Sequence, residues 1–121
     1  MGGCVLVVDD DAAFRALAAR LLLAFGLVSV GEAETAAAAV SAAGSLRPDG
    51  VLLDIGLPDR DGISLAAELA ALPWHPRILL TSSDAEAATA MDVERSGACG
   101  FVPKDELPNA ALYALLSGAA A

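Results

Sequence analysis

The sequence predicts one α/β domain built on a doubly wound parallel sheet of five strands flanked by five helices. Two patterns carry that prediction. Five short runs rich in valine, leucine and isoleucine alternate strictly with longer helix-prone segments, which calls for parallel strands joined by right-handed crossovers. The first and third runs are apolar until they meet a carboxylate, without the alternation of a half-exposed strand, so they suit central strands covered on both faces. A length of 121 residues fits one such domain and leaves little room for a second.

The elements follow in order. Cys4-Val5-Leu6-Val7-Val8 is the first strand, and Asp9, Asp10 and Asp11 stop it and offer an N-cap. Residues 12–25 form a helix with Phe14, Leu17, Leu21, Leu22 and Phe25 at helical spacing and Gly26 as its C-cap. Residues 27–30 read as a second strand, more polar and therefore nearer a sheet edge. Residues 35–43 are an alanine-rich helix favoured by propensity, with Gly44 and Pro48 bracketing the next loop. Residues 50–54 are the third strand, ending on Asp54. After a loop over 55–61, residues 62–72 form a helix with Leu65, Leu69 and Leu72 on one side, closed by Pro73 and Pro76. Residues 77–81 are the fourth strand. A thinly apolar helix over 84–96, with Ala88 and Met91 as its inner residues, ends at Gly97. Residues 100–102 are the fifth strand and 106–116 the last helix.

Composition narrows the function. Hydrophobic residues are 56% and aromatics 4% of the chain, so the core must be aliphatic. Seven basic against sixteen acidic residues give a net charge of −9. That balance argues against nucleic-acid binding, which needs a basic surface to neutralise phosphates. Cys4 and Cys99 make neither a disulfide framework nor a metal-ligand spacing, and read as small buried apolar residues in a reducing compartment. The N-terminus has no basic leader region and no apolar stretch is long enough to cross a bilayer, so the expected location is the cytoplasm.

In an open α/β sheet, ligands bind outside the carboxyl ends of the strands at a topological switch point. Those ends carry Asp9 and Asp10, Asp54, Thr81 and Ser82, and Pro103 and Lys104. Three carboxylates drawn together repel and raise one another's pKa unless a cation is present. Mg²⁺, a hard ion that takes one or two carboxylates plus water and phosphate oxygens, answers that problem. A lysine at the same mouth can hold a phosphate as a point charge and a threonine hydroxyl can donate to it. One carboxylate can then serve as nucleophile and form an acyl phosphate.

The segments Val5 to Asp11, Val51 to Pro58, Asp61-Gly62, Ile78 to Ser82 and Gly100 to Lys104 together resemble the receiver domain of two-component response regulators. The resemblance spans nearly the whole chain in order and spacing. It implies a flavodoxin-like strand order 2-1-3-4-5, a single receiver domain over residues 1–121, and no output domain. It implies that Asp54 is phosphorylated by a partner histidine kinase. Asp9, Asp10, Asp54 and the backbone carbonyl of Gly56 would hold Mg²⁺. Thr81 would close on the phosphoryl group, Lys104 would pair with it, and Phe101 would swing inward as a switch. The surface of helix four, strand five and helix five would then change its preference for a downstream output protein or domain. Dimerisation through that same face is a further expectation, with Ala114, Leu115 and Leu116 supplying the apolar surface.

Departures from the family pattern refine these expectations. Phe101 stands where many relatives have tyrosine, so its switch works by burial alone. Asp105 stands where many have proline. A non-proline cis bond costs about 3 kcal/mol, so the Lys104–Asp105 peptide is expected to be trans. Gly56 and Ser83 are small and imply an open site. Two rival readings remain. A Mg²⁺-dependent aspartyl phosphatase usually carries an acid–base aspartate two residues after its nucleophile, and Gly56 occupies that place here. A degenerate receiver acting as a constitutive interaction module would be expected to have lost part of the set Asp9, Asp10, Asp54, Thr81 and Lys104. Asp11 reads as a cap and Asp59 and Asp61 as solvated loop residues. Trp74 reads as a partly exposed loop aromatic. His75 reads as a lone surface histidine, since no phosphotransfer helix surrounds it.

Overall fold

The computed structural model describes residues 3–107 and Leu112. The chain runs β1 (Cys4–Val8), α1 (Ala12–Ala24), β2 (Val28–Ala33), α2 (Ala36–Leu46), β3 (Gly50–Asp54), α3 (Gly62–Ala70), β4 (Arg77–Ser82), α4 (Ala90–Ser96) and β5 (Gly100–Pro103). A 3-10 turn over Lys104–Glu106 follows. All strand pairs are parallel and the sheet order is β2-β1-β3-β4-β5, as expected.

The continuous apolar runs are explained by two cores, one on each face of the sheet. Val5 and Val7 of β1, Leu52 of β3 and Leu79 of β4 pack with Phe14, Ala18 and Leu22 of α1, and with Leu112. The alternating residues Leu6, Val8, Val51, Leu53, Ile78 and Leu80 pack with Ala36, Ala39 and Ala43 of α2 and Leu65, Ala66 and Leu69 of α3. The helix after β1 therefore covers one face and the helices after β2 and β3 the other. The crevice between β1 and β3 is the topological switch point.

Local chemistry fixes where the helices begin. Asp11, Thr35, Asp61 and Thr89 are extended and cap α1, α2, α3 and α4 with their side-chain oxygens. Asp59 adds a second, non-local cap to α2. Its Oδ1 accepts from the Ala36 N–H (2.8 Å) and its Oδ2 from the Ala37 N–H (3.2 Å). Gly62 opens α3 against the end of β3, where a Cβ would stand 2.5 Å from Ile55 Cα and 2.7 Å from the Asp54 carbonyl oxygen. Gly97 closes α4 at φ +76°, a conformation that favours glycine. Arg47 closes α2 in the same left-handed region and lays its guanidinium over Trp74, 4.5 Å from the ring centroid. Trp74 is half-buried and its Nε1–H donates to the Pro48 carbonyl (2.9 Å).

Several expectations are corrected. Leu17 is 46% exposed and Ala18 takes its place in the core, so the buried stripe of α1 is Phe14, Ala18 and Leu22, with Leu21 and Phe25 at its margin. Gly44 lies inside α2, which runs on to Leu46. β2 extends to Ala33, three residues further than expected, and is bulged. Val5 pairs with Ser29 and Leu6 with Gly31, leaving Val30 as the extra residue on an edge strand. Leu72 lies beyond α3 and is half-buried.

The expected helix over 84–96 is shortened to its last seven residues. Asp84 accepts from the Glu86 N–H (2.9 Å), and Ser82 Oγ accepts from the Asp84 N–H (3.1 Å). These local turns compete with helix, and Met91 is 59% exposed. Both cysteines are half-buried rather than core residues. Glu106 belongs to the 3-10 turn and not to the last helix. Leu112 is helical and buried, whereas Ala114, Leu115 and Leu116 lie outside the described residues.

Candidate functional site

The parallel register brings the strand ends to one edge. Asp54 is paired with Thr81, and the Ile55 N–H donates to the Thr81 carbonyl (3.0 Å), so β3 and β4 finish together. The Asp9 N–H donates to the Ala33 carbonyl (3.0 Å), which pins the end of β1 to β2. Lys104 follows directly on β5.

Asp9, Asp10 and Asp54 converge there, each offering a carboxylate oxygen within 4.8 Å of the others. Asp9 is fully buried, Asp54 nearly so, and Asp10 is exposed at the rim. Asp9 Oδ1 accepts from the Asp11 N–H (2.8 Å). Asp9 Oδ2 is buried with no hydrogen-bond donor in proper geometry. Lys104 Nζ lies 2.6 Å from that oxygen and 3.9 Å from Asp54 Oδ2, so the contact with Asp9 is ionic rather than a directed hydrogen bond. The ammonium also sits 4.3 Å from the centroid of the Phe14 ring, a cation–π contact with α1.

Burial pushes the Asp54 carboxyl above the ordinary carboxylate range, and the neighbouring charge of Asp9 pushes it further. The Gly56 N–H, which donates to Asp54 Oδ1 (3.2 Å), and the Lys104 ammonium oppose this without cancelling it, and Asp10 adds to the rise. The cluster thus holds more negative charge than one ammonium compensates. Hard oxygen donors, three carboxylates against a single ammonium, fit a hard divalent cation. An acidic pocket of this kind is where receiver domains bind Mg²⁺.

Thr81 is fully buried, and its hydroxyl donates to the Val102 carbonyl of β5 (2.7 Å). Phe101, next to Val102, is half-buried and packs against the core beneath α2 and α3, as Val93 of α4 does. Gly56 is exposed beside the Asp54 carboxylate. No cis peptide occurs among the described residues, so Lys104–Asp105 is trans as expected.

The site has neighbours that sequence reasoning missed. Arg15 reaches the Asp9 carbonyl and Glu32. Arg15 stands six residues after Asp9, one turn into the following helix, a spacing that could have marked it. Asp59, read as solvated, holds the loop after Asp54 against α2, and nothing local in the sequence signals that contact. Asp11 and Asp61 are the caps of α1 and α3. His75 is exposed and remote from the carboxylates, its Nδ1 facing the Ala70 carbonyl.

Fold and site together define an open, doubly wound α/β domain with an acidic pocket and one ammonium at its switch point. The chain belongs to the response regulator receiver domain family, whose model matches residues 5–116. It is 33% identical to the chemotaxis protein CheY of Bacillus subtilis, over 83% of each chain. It is 41% identical to a transcriptional-regulator relative from Pseudomonas aeruginosa, covering 84% of this chain but spanning only 49% of that protein. Among solved structures, the signal receiver domain of NarL from Mycobacterium tuberculosis is 36% identical, with a TM-score of 0.79 over 92% of this chain and 94% of that one. Among the described residues no helix is long and apolar enough to cross a membrane.

Proposed function

We propose that this receiver domain is a phosphorylation-controlled switch in which Asp54 accepts a phosphoryl group from a sensor histidine kinase. The observation that carries this reading is the convergence of Asp9, Asp10 and Asp54 within 4.8 Å, with Lys104 Nζ between Asp9 and Asp54. Asp9, Asp10, Asp54 and the Gly56 carbonyl would hold Mg²⁺. Bound there, the ion supplies positive charge against the carboxylates and the incoming phosphate oxygens.

In the transfer an Asp54 oxygen forms a bond to phosphorus as the phosphorus–nitrogen bond to the donor's imidazole breaks. The bonding electrons leave with the imidazole, which takes up a proton. Lys104 then pairs with a phosphoryl oxygen. The Thr81 hydroxyl leaves the Val102 carbonyl and donates to another. That exchange frees the backbone of β5 beside Phe101, which moves inward. The surface of α4, β5 and the segment after residue 107 changes its preference for an output protein or domain, or for a second copy. The domain is a phosphoacceptor rather than an enzyme, apart from its part in its own phosphorylation and dephosphorylation, and it works in the cytoplasm without touching nucleic acid or membrane.

Incubation with Mg²⁺ and a small acyl phosphate, read by intact mass, tests this. A phosphoryl adduct is expected on the wild type, lost with EDTA and lost in Asp54→Asn. A wild type that binds Mg²⁺ but takes no adduct would point to an interaction module that does not switch.

A further inference from the structure

Arg15 lies outside the carboxylate cluster yet holds the loop that carries it. Its Nη1 donates to the Asp9 carbonyl oxygen at 2.6 Å, and its Nε donates to Glu32 Oε1 at 2.7 Å. The Arg15 side chain is only 15% exposed, whereas Glu32 is half exposed. The Asp9 carbonyl belongs to the planar peptide unit that joins Asp9 to Asp10, so the guanidinium fixes the plane from which Asp10 projects. Asp9 has anchors of its own, through its N–H to Ala33 and its Oδ1 to Asp11. The Asp10 side chain has no hydrogen bond or ion pair recorded among the described residues. The direction of its Cα–Cβ bond therefore follows the backbone, which Arg15 holds at the Asp9 carbonyl and Asp9 Oδ1 holds at the Asp11 N–H.

We propose that Arg15, oriented by Glu32, is a positioning residue that aims the Asp10 carboxylate at the divalent cation of the acidic pocket. This rests on the reading that Asp9, Asp10 and Asp54 bind Mg²⁺. Glu32 has two effects. It holds the planar guanidinium so that Nη1 meets the Asp9 carbonyl. It also occupies a cation that would otherwise be free to turn toward the carboxylates and compete with the metal.

Groups that orient metal ligands from outside are worth roughly 10–100-fold in affinity. The two alkaline-earth ions should feel the loss differently. Mg²⁺ demands near-octahedral geometry, whereas Ca²⁺ accepts irregular coordination. A loosened Asp10 therefore costs Mg²⁺ more than Ca²⁺. If the pair only stapled α1 to β2, its removal would lower stability equally with and without metal and leave both affinities unchanged.

The test is calorimetric titration of Mg²⁺ and of Ca²⁺ into the metal-free protein, without phosphodonor, with circular dichroism confirming that each variant is folded. Wild type, Arg15→Met, Arg15→Lys and Glu32→Gln are compared, with Asp9→Asn as the control for loss of a ligand. Arg15→Met should weaken Mg²⁺ binding by roughly tenfold or more and Ca²⁺ by less. Arg15→Lys should recover part of the loss, since one ammonium cannot span both acceptors, and Glu32→Gln should show a smaller loss of the same selectivity. Folded Arg15→Met with unchanged Mg²⁺ affinity, or with equal losses for both ions, overturns the positioning role while the cluster stands as a metal site. A wild type that binds no Mg²⁺ overturns both.

Discussion

At Asp54 burial and the charge of Asp9 act against ionisation, while the Gly56 N–H and Lys104 act for it. The balance leaves a carboxyl above its ordinary range, and this has a thermodynamic consequence. The stabilising contribution of the protonated form is fully present below the unfolded value of 3.8 and is lost as pH rises through the elevated folded value. At neutral pH and without metal, the ionised Asp54 is a local burden on the fold. Asp54→Asn removes that charge and keeps the shape. In EDTA it should raise the melting temperature by a few degrees, the shift that about 1 kcal/mol produces in a domain of this size. Saturating Mg²⁺ should narrow the gap, because the cation relieves the same repulsion in the wild type. Equal melting temperatures in EDTA would mean that Lys104 alone neutralises the cluster.

Among the elements, α2 shows how the site is braced from a distance. Asp59, five residues after Asp54, bonds to the two N–H groups that open α2, and so ties the loop bearing Gly56 to that helix. These bonds hold its carboxyl below the ordinary range, with the Ala36 N–H as the largest cause. The stability they give is present above the unfolded pKa of 3.8 and lost as pH falls through the depressed folded value. Thermal melts from about pH 5 down to about pH 2.5 should therefore show Asp59→Asn losing less stability than the wild type over that interval. Parallel curves would show that the cap contributes nothing.

This brace was illegible in the sequence because it joins residues 23 apart through the path of a loop that no local pattern dictates. β3 was legible to the residue, since Gly50 and the Asp54 carboxylate bracket an unbroken apolar run. In α1 the helical period was right and the buried face nearly so, with Leu17 the one residue misplaced. Alanines surround the leucines there, and hydropathy cannot tell that Ala18 faces the sheet while Leu17 faces water. In α4 the start was misplaced, although Thr89 and Asp92 form a capping box that the sequence displays at its usual spacing.

For the molecule as a whole, the two-faced core explains why the carboxylates sit where they do. β1 and β3 are neighbours whose following helices cover opposite faces, so no helix closes over the gap between their ends. Asp9, Asp10 and Asp54 fill that gap, and β4 and β5 deliver Thr81 and Lys104 beside it. The position of the site was thus readable from topology. The proposed role of Asp54 as nucleophile rests on membership of the receiver family, and one measurement addresses it directly. An aspartyl phosphate is an acyl phosphate, so borohydride reduces it to homoserine, and tandem mass spectrometry locates the converted residue. After treatment with Mg²⁺ and a small acyl phosphate, homoserine is predicted at position 54 and at no other aspartate. Conversion at Asp9 or Asp10 instead, or none while the intact protein carries a phosphoryl adduct, would contradict the account.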